Sequence, residues 1–353
     1  MIVIGLNHKT APIEIREKFF LNHLEQDLFL NELKNNPYVV EAFALSTCNR
    51  TEVYLQLIDE GTSYLSYIPK LIAKIKKFQL NFDYRKNFYY LANQKAVEHL
   101  FKVASGLDSL VLGEKQILGQ VKSAVERAQQ KGTFAKQFNI LFNLAIRAGK
   151  KAQTETEISF GGSSISWAAI TLSEKILGTL KDKSILVIGA GKMGELALEQ
   201  IRDKGASKIY LMNRTGCKAE ALAQKYEGIA VSFFDMKEVL TDVDICFCSS
   251  GAPHYILEKE MVEKLMELRK GRPLLLVDIS MPRNIDPQVA HVSQVKLVSL
   301  DDLDTVVGDN MKKRQAAAIQ VQSIVDQKTN EFYEKLNRNY PGKDNSTLEE
   351  IEV

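Results

Sequence analysis

The glycine-rich segment GAGKMG, residues 189–194, constrains the fold more than any other part of this sequence. It follows the apolar run Ser184 to Ile188 and precedes a segment with helical periodicity, Glu195 to Arg202. In a strand-turn-helix unit of this kind, the first glycine allows a tight turn and the second lets a pyrophosphate approach the backbone. The third permits close packing of helix on strand, and the amides at the helix N-terminus face the phosphates. The segment predicts a dinucleotide-binding βαβ unit; a glycine turn without a ligand is the alternative.

The type of dinucleotide is indicated about twenty residues further on, where NAD-binding units place an acid against the ribose 2′-hydroxyl. This sequence has Asn-Arg-Thr there and no acid. A carboxylate would repel a 2′-phosphate, whereas Arg214 can bind one through paired hydrogen bonds, so NADPH is predicted. A solvated loop cation is the alternative for Arg214. The residues predicted to hold the cofactor are Gly189, Ala190, Gly191, Lys192, Met193, Gly194, Asn213, Arg214 and Thr215.

Apolar runs alternate with helical stretches from Lys181 to about Ser299, which predicts a parallel sheet. The runs are Ser184 to Ile188, Lys208 to Met212, Asp244 to Cys248, Pro273 to Asp278 and Val295 to Val298. Ligands bind at the carboxyl edge of such a sheet. The loops Ser249 to Pro253 and Ile279 to Ile285 are therefore expected to wall the nicotinamide.

The length of 353 residues suits two domains plus an appendage. We predict an α/β multidomain fold with an α+β substrate domain at 1–157, a Rossmann NADP-binding domain at 158–299, and a long helix with a tail at 300–353. Apolar residues recur with helical spacing from Leu300 to Leu336. A helix of that length would span about 54 Å and would join or brace separate bodies.

Charge and cysteine usage exclude several classes of protein. Lys and Arg total 46 against 44 acids, so no global field attracts a polyanion. The four cysteines form no CxxC and no histidines stand at metal-ligand spacing, so no metal site is predicted. Met1 to Leu6 lacks a basic flank and no run reaches membrane-spanning length, which predicts a cytoplasmic protein without a membrane anchor.

Cys48 is the candidate nucleophile. It lies in STCNRTE, residues 46–52, a polar interruption between the strand-like runs Val39 to Leu45 and Val53 to Leu57. This pattern places the thiol in a turn, and Arg50 is the nearest cation that could favour a thiolate. On spacing alone, an inert free cysteine is the commoner role.

Several longer strings together resemble the glutamyl-tRNA reductase family, whose members catalyse the first step of the five-carbon route to tetrapyrroles. The strings are GLNHKTAP at 5–12, STCNRTEVY at 46–54, HLF at 99–101, GLDSL at 106–110, GEKQI at 113–117, VIGAGKMGEL at 187–196, NRT at 213–215 and MPRNIDP at 281–287. The resemblance covers roughly residues 1–336.

The resemblance implies covalent catalysis. The cysteine matching Cys48 attacks the ester between glutamate and tRNA, and NADPH reduces the resulting thioester to glutamate-1-semialdehyde. A thioester is more electrophilic than an ester, so one hard step becomes two easier ones. Thr47, Asn49 and Arg50 match substrate-binding positions, and Arg50 suits a bidentate grip on a carboxylate. His99 matches a functional histidine that could activate the thiol or protonate a leaving group; a core histidine is the alternative.

Further substrate-binding positions of the family match Ser109, Glu114, Lys115, Gln116 and Gln120. Gln116 and Gln120 are one helical turn apart, so their amides point the same way. Without the resemblance, we would interpret them as polar residues beside the apolar helix face formed by Ile117 and Val121.

The implied partners are glutamyl-tRNA(Glu), a second copy of the chain, and glutamate-1-semialdehyde aminotransferase as a candidate. A local basic cluster is the candidate tRNA surface: Lys70, Lys74, Lys76, Lys77, Arg85 and Lys86. Family members continue beyond the long helix into further helices that build a dimer, so the dimerisation region here is shortened and the homodimer is expected to be weaker. Two alternatives are a shikimate-dehydrogenase-like oxidoreductase and a non-catalytic NADP-binding scaffold of the same pathway.

Overall fold

The computed structural model describes residues 1–58, 63–80, 82–159, 164–303 and 311–340. The chain forms two compact units, residues 1–163 together with 310–353, and residues 164–309. The first contains an antiparallel sheet and the second a parallel sheet, which confirms the predicted fold class. No helix within the described residues combines the length and the apolar character that crossing a bilayer requires.

The sheet of the first unit has four antiparallel strands in the order β2-β3-β1-β4. These are β1 (Ile2–Asn7), β2 (Val39–Ser46), β3 (Arg50–Leu57) and β4 (Tyr89–Ala92). β1 is buried along its whole length and pairs with strands on both sides. β3 begins at Arg50, so the prediction that residues 50–52 belong to a polar turn is wrong. These residues pair with both β1 and β2 while their charges are satisfied inside the unit.

Six helices cover this sheet: α1 (Ile13–Phe19), α2 (His23–Lys34), α3 (Tyr64–Lys76), α4 (Asn93–Ala104), α5 (Gln116–Lys131) and α6 (Lys136–Glu155). The buried face of α5 includes Ile117, Val121 and Ala128, at helical spacing, as predicted. Gly132 ends this helix at φ +71°, a left-handed conformation that glycine adopts without a Cβ penalty.

The second unit is a six-stranded parallel sheet in the order β10-β9-β8-β5-β6-β7. Its elements are α7 (Ile165–Leu177), β5 (Ser184–Ile188), α8 (Lys192–Asp203), β6 (Lys208–Met212), α9 (Gly216–Tyr226), β7 (Ile229–Val231), α10 (Met236–Asp242), β8 (Ile245–Cys248), α11 (Lys259–Leu268), β9 (Leu274–Asp278) and β10 (Val295–Val298). The five predicted strands are all present, and two of them begin one residue later than expected. The sequence analysis missed β7, a three-residue edge strand with no buried position.

The strand order reverses between β5 and β8. The chain runs outward from β5 through β6 to β7 and then returns to place β8 on the other side of β5. The loops that leave the carboxyl ends of these two strands therefore diverge and open a crevice, the usual ligand site of such sheets.

The last helix, α12 (Met311–Asn339), differs from its prediction. Residues 300–303 form a single 3-10 turn in which the Asp302 carboxylate accepts the Ser299 N–H at 2.7 Å, so one continuous helix from Leu300 is wrong. Val307 of the predicted stripe lies outside the described residues. Within α12, Val325 and Phe332 pack in the first unit, where they are buried with side chains of α4 and α6.

Gly113 tests how tightly the loop before α5 is packed. Its φ is +79°, and a Cβ there would lie 1.9 Å from the Ile158 carbonyl oxygen. We expect Gly113→Ala to lower the free energy of unfolding by about 3 kcal/mol or more, because a backbone clash adds to the left-handed strain. Gly132→Ala is the control, since at φ +71° its Cβ meets only the flexible end of Lys34. Urea unfolding followed by circular dichroism measures both variants, and equal losses would contradict the clash.

Candidate active site

Cys48 lies in the short turn between β2 and β3, as the sequence predicted. The Thr47 N–H donates to the Arg50 carbonyl oxygen at 2.8 Å, and the Thr47 hydroxyl accepts from the Asn49 N–H at 3.2 Å. The Arg16 guanidinium donates to the Cys48 carbonyl oxygen at 2.6 Å. The turn is thus held from both sides, and its thiol is half-buried.

The Cys48 thiol is protonated at neutral pH in this structure. Burial raises its pKa to about 12, and the Glu114 carboxylate adds to the increase. Arg16 and Arg50 act in the opposite direction without outweighing burial. Arg50 thus lowers the pKa of the thiol, as the sequence led us to expect, but not enough to offset burial.

Arg50 is almost completely buried, at 1% exposure. Its Nη1 donates to Glu52 Oε1 at 2.6 Å and to Asp108 Oδ2 at 3.0 Å, and its Nη2 donates to the Asp108 carbonyl oxygen. Burial alone would lower the pKa of this guanidinium, but the two carboxylates hold it above its usual value. The predicted bidentate grip on a substrate carboxylate would have to displace these internal acceptors.

His99, on α4, contacts Glu52. Its Nε2 lies 2.9 Å from Glu52 Oε1 and 3.5 Å from the Tyr89 hydroxyl. The hydroxyls of Tyr54 and Tyr89 each donate to Glu52 at 2.6 Å. Burial would raise the pKa of Glu52, but its cationic neighbours hold it well below its usual range. In the described structure no hydrogen bond joins His99 to Cys48, so the histidine is oriented by an ionised carboxylate at a distance from the thiol.

Glu52, His99 and Asp108 bring ligand-type atoms within 4.8 Å of one another. Such a group resembles a metal site. However, the Arg50 guanidinium lies within hydrogen-bond distance of both carboxylates. A divalent cation would have to displace a buried arginine, so this cluster is better described as an ion-pair network.

Five polar side-chain atoms described in the first unit are buried without a hydrogen-bond partner: His8 Nδ1, Asn49 Oδ1, Ser105 Oγ, Ser109 Oγ and Gln116 Nε2. Buried polar atoms are nearly always paired in folded proteins, so a group of orphans indicates a place where a polar ligand completes the bonding. Asn49, Ser109 and Gln116 were predicted as substrate contacts. His8 was not predicted; its backbone N–H donates to the Asn49 carbonyl oxygen at 2.9 Å.

The loop before α5 contributes a carboxylate. Glu114 is 4% exposed, and burial raises its pKa to about 7 although Arg50 opposes the shift. Lys115 is exposed, and Gln120 is half-buried one turn beyond Gln116 on the same helix. The structure thus gathers most of the predicted substrate residues in one unit and leaves Lys115 at its surface.

Besides His8, sequence reasoning missed three charged partners of the site: Arg16, Glu52 and Asp108. Glu52 carried a usable signal, since Arg50 and Glu52 stand two apart on one strand and must share a face. Arg16 and Asp108 gave none, because their contacts with the turn cross 32 and 58 residues of sequence.

The glycine turn of the second unit fits a dinucleotide. Gly189 has φ +111°, and a Cβ there would lie 2.8 Å from the Ser249 backbone. A Cβ on Gly194 would lie 2.2 Å from the Gly189 carbonyl oxygen, so these two glycines serve the turn and the helix contact. A Cβ on Gly191 would meet no atom within 4 Å. This open space adjoins the N-terminus of α8, whose first amides lack a side-chain cap, and it suits a pyrophosphate.

The loop after β6 lies beside this turn. Asn213 Oδ1 accepts from the Ala190 N–H at 3.2 Å, and its Nδ2 donates to the Thr215 carbonyl oxygen at 3.0 Å. Arg214 is exposed at the end of the strand, where a 2′-phosphate could be reached. Of the remaining predicted residues, Lys192 is exposed and Met193 is half-buried, its carbonyl oxygen accepting from the Ser166 hydroxyl at 2.8 Å.

Both units resemble known protein families. Residues 4–156 match the family model described as "Glutamyl-tRNAGlu reductase, N-terminal domain", and residues 171–306 match "Shikimate / quinate 5-dehydrogenase". The chain is 41% identical to the glutamyl-tRNA reductase of Bacillus subtilis over 338 residues, which cover 96% of this chain and 74% of the relative. It is 42% identical to that of Thermodesulfovibrio yellowstonii over 344 residues, with 96% and 80% covered.

Among solved structures, the chain resembles glutamyl-tRNA reductase from Methanopyrus kandleri with a TM-score of 0.53 and 32% identity. The match covers 96% of this chain and 80% of that one. Both the sequence and the fold are therefore similar over nearly the whole length of the chain.

Glu114 predicts a measurable dependence of stability on pH. A carboxyl whose pKa is near 7 when folded and near 4.5 when unfolded opposes folding above pH 7, by roughly 3 kcal/mol. This cost falls as the pH drops from 7 to 4.5 and is absent below. We expect Glu114→Gln to raise the free energy of unfolding by that order at pH 8 and to leave it unchanged at pH 4.5. Glu126→Gln, an exposed change on α5, is the control. A gain that does not depend on pH would contradict the assignment.

Proposed function

This chain belongs to the glutamyl-tRNA reductase family, and we infer that it catalyses the NADPH-dependent reduction of glutamyl-tRNA(Glu) to glutamate-1-semialdehyde, the first step of tetrapyrrole synthesis. The observation that carries the proposal is the Cys48 turn, where a half-buried thiol is followed directly by Asn49, whose buried Oδ1 has no hydrogen-bond partner in the described structure. A cysteine in such a pocket can form an acyl intermediate that a binding module would not need.

The proposed chemistry begins at Cys48. Its sulfur attacks the ester carbonyl carbon, the bond to the ribose oxygen of the tRNA breaks, and the thiol proton ends on that oxygen. NADPH, when bound, supplies the hydride that converts the thioester to the aldehyde. The Cys48 sulfur then leaves and takes up a proton. Because the resting thiol has a pKa of about 12, it must lose its proton in the substrate complex.

Glu114 is the group that we propose for accepting this proton. Its carboxylate acts electrostatically on the thiol, and its pKa of about 7 suits a base that works near neutral pH. His99 is then a positioning residue. It is bound to Glu52, which in turn holds Arg50 and so fixes the strand that carries the turn.

In the second unit, Gly191 and the amides at the start of α8 would hold the pyrophosphate, and Arg214 would bind the 2′-phosphate. Asn213 orients the glycine turn through its bond to the Ala190 N–H. A shikimate-dehydrogenase-like activity would account for residues 171–306 alone and would leave Cys48 without a role.

The tRNA surface remains a proposal drawn from the basic cluster. Lys70, Lys74 and Lys77 are exposed at helical spacing on or just after α3, where they could contact a phosphate backbone. Lys76 is less suitable, because its Nζ donates to the Phe20 carbonyl oxygen at 2.7 Å and its side chain is 16% exposed.

The other proposed partners depend on the family resemblance. The homodimer was expected from the family resemblance, and side chains of the same chain bury Val321, Val325 and Phe332 of the last helix. The homodimer, an aminotransferase that receives the aldehyde, and a cytoplasmic location therefore remain proposals without a structural argument of their own.

Acyl transfer to Cys48 needs no NADPH, so it can be measured separately from the reduction. With glutamyl-tRNA and no NADPH, we expect a glutamyl adduct on Cys48 and release of deacylated tRNA. Cys48→Ser should lower both by roughly a thousandfold or more, because a hydroxyl is far harder to ionise. Mass spectrometry of acid-quenched protein measures the adduct. Cys217→Ser, which changes an exposed cysteine, is the control and should retain it. An adduct on another residue would remove Cys48 from the mechanism.

Arg214 should determine cofactor preference. We expect Arg214→Ala to weaken NADPH binding by about tenfold to a hundredfold, the loss of charge-assisted hydrogen bonds, and to leave NADH binding unchanged. Fluorescence titration measures both dissociation constants. Lys237→Ala removes an exposed cation elsewhere on this unit and should change neither. Equal affinity of the unaltered protein for both cofactors would contradict the role of Arg214.

A further inference from the structure

Asn284 links the two loops at the carboxyl edge of the parallel sheet. It is completely buried, and its Oδ1 accepts from the Ser250 hydroxyl at 2.5 Å. Its Nδ2 donates to the carbonyl oxygens of Ala252 and His254 at 3.1 and 3.4 Å. One side-chain amide therefore uses its acceptor and its donors to tie the loop after β9 to the loop after β8.

The loop that carries Asn284 is itself anchored by Asp278, the last residue of β9. One carboxylate oxygen accepts from the Ser280 N–H at 3.0 Å. The other accepts from the N–H groups of Asn284 and Ile285, each at 2.8 Å. These three hydrogen bonds fix the loop backbone.

These loops also contact the glycine turn. Gly189 packs so closely on Ser249 that a Cβ would lie 2.8 Å from its backbone, and a Cβ on Gly194 would lie 2.8 Å from its hydroxyl. The Ser249 hydroxyl donates to the Gly189 carbonyl oxygen at 3.4 Å. A continuous set of contacts thus runs from the glycine turn through Ser249 and Ser250 to Asn284.

We propose that Asn284 is a positioning residue for the nicotinamide half of the cofactor site. This inference rests on the proposed function, which places a dinucleotide across the crevice between β5 and β8. The pyrophosphate and adenosine lie toward the glycine turn and Arg214, so the loops held by Asn284 are left to wall the other half. A buried side-chain amide that makes all of its hydrogen bonds stabilises one arrangement of the loops. An amide that leaves some of these hydrogen bonds unmade does not.

Asn284→Asp is the sharpest test because it keeps the shape and the acceptor and removes the three donated bonds, to the carbonyl oxygens of Ala252, His254 and Pro282. We compare the binding of NADPH with that of 2′,5′-ADP, which carries the 2′-phosphate half without nicotinamide. The expected result is about tenfold weaker binding of NADPH with 2′,5′-ADP unchanged. Asn143→Asp places the same charge on an exposed site of α6 and should alter neither ligand.

Ser250→Ala supplies a second, milder variant if Asn284→Asp does not fold. It removes one bond to Asn284 and should weaken NADPH about threefold with 2′,5′-ADP again unchanged. Equal weakening of both ligands, or no change in NADPH binding, would overturn the role of Asn284. Failure of the unaltered protein to bind NADPH would instead overturn the cofactor assignment from which the inference starts. Thioester formation on Cys48 without NADPH should be unaffected in every variant, which distinguishes this test from that of the proposed reaction.

Discussion

The buried Arg50 guanidinium is the constraint on which the first unit depends. Removing a charge from water costs several kcal/mol, and only close, well-bonded partners offset that cost. Glu52 and Asp108 supply the negative charge, and Tyr54, Tyr89 and His99 complete the bonding of Glu52. These partners come from separate strands, helices and loops, so the network fixes where β3 begins and, with it, the turn that presents Cys48. The positions of these side chains are well defined, because each buried group relies on another for its hydrogen bonds or for the opposite charge.

In the second unit, close backbone contacts and not buried charges hold the site in place. Its glycine turn approaches the loop after β8 so closely that a single Cβ at Gly189 would clash. Side chains enter mainly as connectors, as with Asn213 beside the turn and Asn284 between the loops. A phosphate-rich cofactor calls for N–H groups and open space, and short amide side chains provide rigid loops without filling that space.

The sequence predicted the parallel sheet well because its strands are continuous apolar runs between glycine or polar breaks, a pattern that depends only on local burial. It also placed Cys48 in a turn. It failed where the decisive contact is distant: the charged residues Arg50 and Glu52 read locally as loop, and Asp108 lies 58 residues from Arg50. It failed again at residues 300–303, which form a 3-10 turn where the periodicity predicted the start of an α-helix. The packing of α12 against α4 and α6 likewise could not be predicted, because the spacing of apolar residues shows that a helix has a buried face but not which elements cover it.

The resting state of the site has a consequence for catalysis. Burial keeps the Cys48 thiol protonated and holds the pKa of Glu114 near 7, so Glu114 titrates near neutral pH whereas the thiol does not lose its proton there in the free protein. Transfer of the thiol proton to Glu114 alone would create a buried thiolate at a large cost. That cost falls only if the substrate supplies hydrogen bonds to the orphaned atoms and an electrophile for the sulfur. In the proposed mechanism, the same burial makes the reactivity of Cys48 depend on a bound substrate.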